Sequence, residues 1–296
     1  MNKSFFTSIL ALAICNGANA QWKQGDVPPS FRRGGSTPTA IDTALVTVYY
    51  AFNADDIKDE NTYIDLGWLQ VGRQYTKYAS YFVAHSDSTY KPKLIKNSNG
   101  ESAYAGRKFG GKYPSRWSEY QFDEIYIKDG QLTEYAIMPM NLDRECCQYT
   151  ESVPKQQWTL KDEQQTIHGY RCQKATCHWR GRDYEAWFAT DIPVKTGPWK
   201  FGGLPGLILK VYDTNFLYTF EAVGIEKGKH PIVQYEYKGY KKSTRAEVQK
   251  CQRTFAENWP KAVGWRRGTV DAGGHVVLGE AVSIHTPYEP LELTEQ

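Results

Sequence analysis

Residues 172–213 read CQKATCHWRGRDYEAWFATDIPVKTGPWKFGGLPGLILKVYD, and their texture decides the fold. Tyr170–Trp179 and Asp183–Phe188 are rich in aromatic and β-branched residues and flank Arg180-Gly181. That is the pattern of two strands joined by a tight turn. Leu207–Tyr212 predicts the next strand, and Asp213-Thr214-Asn215 a turn into Phe216–Val223. Between them, Leu204-Pro205-Gly206-Leu207 predicts a type II turn, with proline presetting φ at the second position and Gly206 taking positive φ at the third. Gly202 and Gly203 let the backbone pass close to a bulky neighbour, for which Trp199 and Phe201 are the candidates. A second reading makes the amides of Gly202, Gly203 and Gly206 a nest for an anion or carbonyl. The stretch lacks the Gly-Lys-Ser/Thr ending of a P-loop and is not a G-x-G-x-x-G fingerprint.

The same strand texture recurs at Ala44–Tyr50, Tyr63–Phe82, Tyr120–Ile127, Leu132–Ile137 and Ile232–Tyr240, with Lys128-Asp129-Gly130 as a further hairpin signal. One helix interrupts it. Thr244-Arg245-Ala246-Glu247 is a capping box, Val248, Cys251, Phe255 and Trp259 follow on one face, and Pro260 and Gly264 mark its end. The expected fold is therefore mainly β (α+β), a large curved antiparallel sheet with one C-terminal amphipathic helix packed on it. Its shape is expected to resemble the half-barrels of periplasmic lipoprotein carriers.

The 296 residues carry 36 Lys+Arg against 33 Asp+Glu, a net charge of +3 that gives none of the long-range field of a nucleic-acid binder. Nine Trp, 21 Tyr and 12 Phe exclude a disordered chain. Met1–Ala20 has a basic start at Lys3, a short apolar run and small residues Ala18-Asn19-Ala20, which predicts a cleaved export signal. Residues 21–40 predict a flexible leader, 41–279 a single β-rich domain, and 280–296 an acidic tail that frays. The expected location is outside the cytoplasm, in the periplasm, at the outer membrane or beyond, with no membrane span after cleavage. Cys146, Cys147, Cys172, Cys177 and Cys251 remain in the mature chain. In an oxidising compartment, cross-links from Cys146 or Cys147 to Cys172 or Cys177 are expected, because Cys172 and Cys177 stand about 17 Å apart on a straight strand.

Gly202-Gly203-Leu204-Pro205-Gly206-Leu207-Ile208 resembles the signature of the GLPGLI family, exported proteins of Bacteroidetes. The likeness extends through Trp158, His168–Thr176, Arg180–Phe188, Ile192-Pro193 and Gly197–Phe201, and more weakly from Leu69–Gly72 to Gly224–Glu226. The family brings an expectation of export and of a β-rich fold but no established activity.

No G-x-S-x-G elbow, H-E-x-x-H helix or paired C-x-x-C is present. His168, Cys172, Cys177 and His178 are near in sequence, yet ten strand residues span about 33 Å, too far for one metal shell. No catalytic residue, metal or cofactor is expected. Arg180 and Arg182, beside Trp187, with Trp199 and Phe201 at the glycine-proline corner, are the candidate ligand-binding residues, since guanidinium and aromatic groups suit an acidic or glycan ligand. The sequence points to a non-catalytic binding or accessory protein of the cell envelope with an unknown ligand or protein partner. The alternatives are an envelope hydrolase with an unrecognised nucleophile and a structural interaction module.

Overall fold

The long strands β1 (Thr39–Phe52) and β13 (Thr219–Gln234) pair at the centre of the molecule, and three register shifts along them bend the sheet. The computed structural model describes residues 38–89, 94–96, 102–104, 109–114, 116–139, 142–271, 273 and 275–293. The expected export signal and most of the expected leader lie outside them.

In chain order β1 is followed by β2 (Asp65–Val71), β3 (Thr76–Ser80), α1 (Tyr81–Thr89), β4 (Leu94–Lys96), β5 (Ser102–Tyr104) and α2 (Glu119–Phe122). Next come β6 (Asp123–Lys128), β7 (Gln131–Ala136), β8 (Cys147–Ser152), β9 (Thr159–Ile167), β10 (Tyr170–Trp179), β11 (Arg182–Ala189) and β12 (Leu207–Asp213). After β13 come β14 (Lys241–Lys242), α3 (Arg245–Ala262), β15 (Arg266–Val270) and β16 (Val276–Ala281). Twelve strands form one open sheet in the order β14-β8-β7-β6-β3-β2-β1-β13-β12-β11-β10-β9, antiparallel except for β14 on β8. β15 pairs with β16, and β4 with β5, as separate hairpins. A mainly β fold with a large curved sheet and one long C-terminal helix is what the sequence predicts.

Two-residue turns set the hairpins. Asp129 and Gly130 both take positive φ, as do Arg180 and Gly181, and His168 and Gly169 make a third turn of this kind. The curvature shows in the contacts. Arg180, at the β10–β11 turn, pairs with Glu151 on β8 at 3.0 Å although these strands stand near opposite ends of the sheet order. A flat sheet would hold them roughly 40 Å apart. Tyr50, Phe52, Tyr184, Phe188 and Phe220 of the sheet are buried in the core, and Phe201 of the loop after β11 packs against Tyr184 and Phe220.

Several expectations change. Phe82 does not end a strand but lies in α1, which Ser80 caps by accepting from the Val83 amide at 3.1 Å. The capping box of α3 forms as expected, but the buried face is Val248, Gln252, Phe255 and Trp259, with Cys251 half-buried. The helix breaks at Asn258, whose side chain accepts from Lys261 N and caps the short turn that accommodates Pro260. Gly206 does not take positive φ; Gly203 does, at +84°. Gly206 is required for room, because a Cβ there would lie 2.1 Å from the Ala189 carbonyl oxygen, so the type II turn assignment is replaced by a close backbone crossing. No disulfide joins the five cysteines among the described residues. Cys146 and Cys147 sit by Cys251 of α3, whereas Cys172 and Cys177 belong to β10 near the other end of the sheet order, so the expected cross-links are not made. The acidic tail does not fray within the described residues: Leu291 and Glu292 are 4% and 6% exposed.

Candidate functional site

Inside the curve of the sheet lies a small cavity of about 40 Å³ lined by Glu119, Asp123, Glu134, Lys200, Tyr288 and Glu292 among others. β6 and β7 present Asp123 and Glu134, β8 presents Tyr149 and Glu151, and the loop after β11 carries Lys200 inward from the opposite side. α3 closes a third side with Gln249 and Gln252, and the segment 284–293 adds Tyr288, Pro290, Leu291 and Glu292.

Lys200 is the hub. Its buried Nζ donates to Tyr149 Oη at 2.8 Å and pairs with Glu134 at 2.7 Å and Glu292 at 2.8 Å, using all three ammonium protons. Tyr149 in turn donates to Glu134 at 2.8 Å. The Glu292 carboxylate also accepts from Arg180, from Arg245 at 2.6 Å and from Gln249. Arg180 reaches Glu151 as well. Burial works to raise the Glu292 pKa, but Lys200 and Arg180 outweigh it and hold the group down at about 2. Burial works to lower Lys200, and Glu134 and Glu292 raise it instead. Asp123 behaves in the opposite way. Burial and the neighbouring Glu134 push it well above the ordinary carboxylate range, and one of its oxygens accepts from Gln252 at 2.6 Å. Three cations, Arg180, Lys200 and Arg245, then face three carboxylates, Glu134, Glu151 and Glu292.

The segment 284–293 is held by its backbone. Arg182 donates to the Pro290 and Leu291 carbonyls at 2.6 and 3.0 Å and to the Glu289 carboxylate at 2.8 Å. Tyr184 donates to the Leu291 carbonyl at 3.2 Å, Tyr218 to the Glu289 carbonyl, and Leu293 N donates to Arg180 O at 2.9 Å. Tyr288 Oη donates to Glu119 at 2.6 Å.

The predicted ligand residues separate. Arg180, Arg182 and Phe201 point inward and are buried, and Trp199 lines the cavity with the Lys200 ammonium 4.7 Å from its ring. Trp187 stands half-buried between Lys174 and Lys210 of the adjacent strands. The motif Gly202, Gly203, Leu204, Pro205, Gly206, Leu207, Ile208 builds the corner below the hub. Its proposed nest is spent internally, since Gly202 N donates to Gln156 and Gly203 N to Lys195 O. His178 pairs with Asp183 at 2.8 Å on the surface, whereas Cys172 and Cys177 are buried with thiols pushed up to about 11 and 12 by burial. Lys200, Glu134, Asp123, Glu119, Arg245 and Glu292 were not singled out from sequence. The one available signal was Lys200, a charge between Trp199 and Phe201 in an aromatic corner.

The sequence model of a family described as the N-terminal domain of N-glycanase peptide matches residues 111–248. This stretch carries Asp123, Glu134, Tyr149, Arg180, Lys200 and Arg245, and ends before the segment 284–293. No curated protein matches the chain. Among solved structures, two crystal forms of PNGF-II are similar at TM-scores of 0.48 and 0.47, each 15% identical, covering 73% of this chain and 34% of the other. The chain thus spans about a third of the length of those solved proteins.

Proposed function

We propose that the protein is an exported, non-catalytic binding or accessory module of the cell envelope that binds glycans or glycoproteins. The observation that carries this reading is where the family likeness falls: residues 111–248 include most of the strands and the start of the helix that wall the inner cavity. The GLPGLI-type motif supports export and membership of that exported family. The thiols give no support to a cysteine nucleophile, because burial raises Cys147, Cys172, Cys177 and Cys251 away from the thiolate form. One observation favours the hydrolase alternative: Asp123, raised by burial and by the neighbouring Glu134, is one of two adjacent buried carboxyl groups of the kind that acid–base enzymes use. Binding of the purified mature chain to immobilised N-glycans, glycopeptides and the matching deglycosylated peptides separates the readings. Retention on the glycosylated surfaces without release of sugar or peptide is expected. Equal retention on the deglycosylated surfaces, or turnover that disappears in Asp123→Asn, overturns the proposal.

A further inference from the structure

The segment 284–293 is bound the way a groove binds a peptide. It has no helix or strand of its own, and its grip comes from side chains of the sheet and of α3. The carbonyls of three successive residues, Glu289, Pro290 and Leu291, are read by Tyr218, Arg182 and Tyr184. Leu291 fills an apolar position, and the Glu292 carboxylate enters a pocket made by Arg180, Lys200, Arg245 and Gln249. Backbone carbonyl contacts supply affinity irrespective of sequence, and the two pockets supply selectivity.

The three cations around the Glu292 carboxylate are also held by groups outside the segment. Arg180 is fixed by the β10–β11 turn and by Glu151, Lys200 by Glu134 and Tyr149, and Arg245 by the first turn of α3. With Glu292 withdrawn, Arg180, Lys200 and Arg245 lose a carboxylate that all three share, which leaves a set of cationic donors arranged for a carboxylate. Upstream, the segment is tied by Val282 N to Trp265 O, Ile284 N to Asn258 Oδ1 and Thr286 N to Glu257 O. An extended segment so attached opens at a cost below that of global unfolding.

We propose that the inner groove is a peptide-binding site for an extended segment presenting leucine followed by a carboxylate, and that residues 284–293 occupy it in cis as a displaceable strap. The proposal goes beyond the glycan reading and does not require it, so peptide binding can succeed where glycan binding fails.

The test uses the full-length chain and a fluorescent peptide of residues 284–293, IHTPYEPLEL. Glu292→Lys places a cation against Arg180 and Lys200 and expels the strap in cis while keeping the walls. Fluorescence anisotropy is expected to show the peptide binding this variant at least about tenfold more tightly than the wild type. Changing the peptide's second glutamate to glutamine is expected to weaken it by about tenfold or more. A second peptide that keeps only Pro-Leu-Glu and has serine elsewhere is expected to compete. A folded Glu292→Lys chain that binds neither peptide, or one indifferent to the glutamine change, overturns the proposal. Should that variant not fold, the wild-type chain with a protease site inserted after Ser283 is cut after folding and challenged with excess labelled peptide. Exchange of the cut strap for the label supports the proposal. A strap that stays bound for a day under about a hundredfold excess of peptide is part of the core, and the proposal fails.

Discussion

Replacing Lys200 by methionine tests the ion cluster at its centre. The Lys200 side chain is 4% exposed, and its ammonium serves Glu134, Glu292 and Tyr149 at 2.7–2.8 Å. Methionine fills much the same volume, so the packing loss is small and the cost is that of the two carboxylates left behind. Glu292 retains Arg180, Arg245 and Gln249, whereas Glu134 keeps the Tyr149 hydroxyl and no cation among its described partners. Breaking one side of a buried pair costs about 3–5 kcal/mol, which for a chain of this size lowers Tm on the order of 10 °C. The assay is thermal and urea unfolding at pH 7 followed by near-ultraviolet circular dichroism. Adding Glu134→Gln to Lys200→Met removes the stranded charge while keeping an acceptor for Tyr149. The double variant should regain about 1.5–3 kcal/mol over the single one. A single-variant loss below about 1 kcal/mol, or a double variant whose loss is the sum of the two singles, refutes the assignment of Lys200 as the charge that stabilises Glu134.

Asp65, buried and accepting from Ser80 at 2.6 Å, is raised by burial to about 7. A folded-state pKa above the unfolded one means that the folded chain holds the extra proton, so the contribution of Asp65 is full below about pH 4 and is lost as pH rises through 7; Asp65→Asn should remove this component and gain roughly 3–4 kcal/mol over the wild type at pH 8 relative to pH 4, read by urea midpoints at the two pH values. Gly206→Ala should cost at least about 2 kcal/mol because its Cβ meets the Ala189 carbonyl, whereas Gly130→Ala, with open space but φ of +72°, should cost about 1 kcal/mol; equal melting temperatures would count against the close crossing. The thiols of Cys146, Cys147, Cys172 and Cys177 are buried and should react with an aromatic disulfide reagent only on unfolding, with half-buried Cys251 first; fast labelling of Cys177 in the native protein would contradict its placement.

The strands and hairpins were legible where local chemistry and tertiary structure agree. Asp129-Gly130 and Arg180-Gly181 take positive φ at both turn positions, the conformation that a tight hairpin needs. β9 was missed because it is an edge strand whose residues TLKDEQQTI are nearly all exposed, so it has no apolar face to read and is held by pairing with β10 alone. Gly206 was given the right importance for the wrong cause, since a sequence does not show that Ala189 will cross it. The ion cluster was illegible for a longer-range reason. Positions 134, 149, 151, 180, 200, 245 and 292 meet only because the register shifts in the central strands curl the sheet.

Arg180 and Arg182 show how an acceptable local reading fails. Arginines at a hairpin tip ordinarily stand in solvent. Here the tip bends over the concave face, so Arg180 stacks 4.6 Å from the Trp179 ring and Arg182 5.0 Å from the Tyr218 ring, both about 5% exposed. A guanidinium is buried tolerably only when carboxylates or carbonyls meet its fork. Nearly every acceptor for Arg182 lies on residues 289–291, and one of the two carboxylates for Arg180 is Glu292. The acidic tail and the basic turn therefore explain each other: an acidic, proline-containing segment that has too little apolar surface to fold alone becomes ordered because it supplies the counter-charge that the curled sheet has buried.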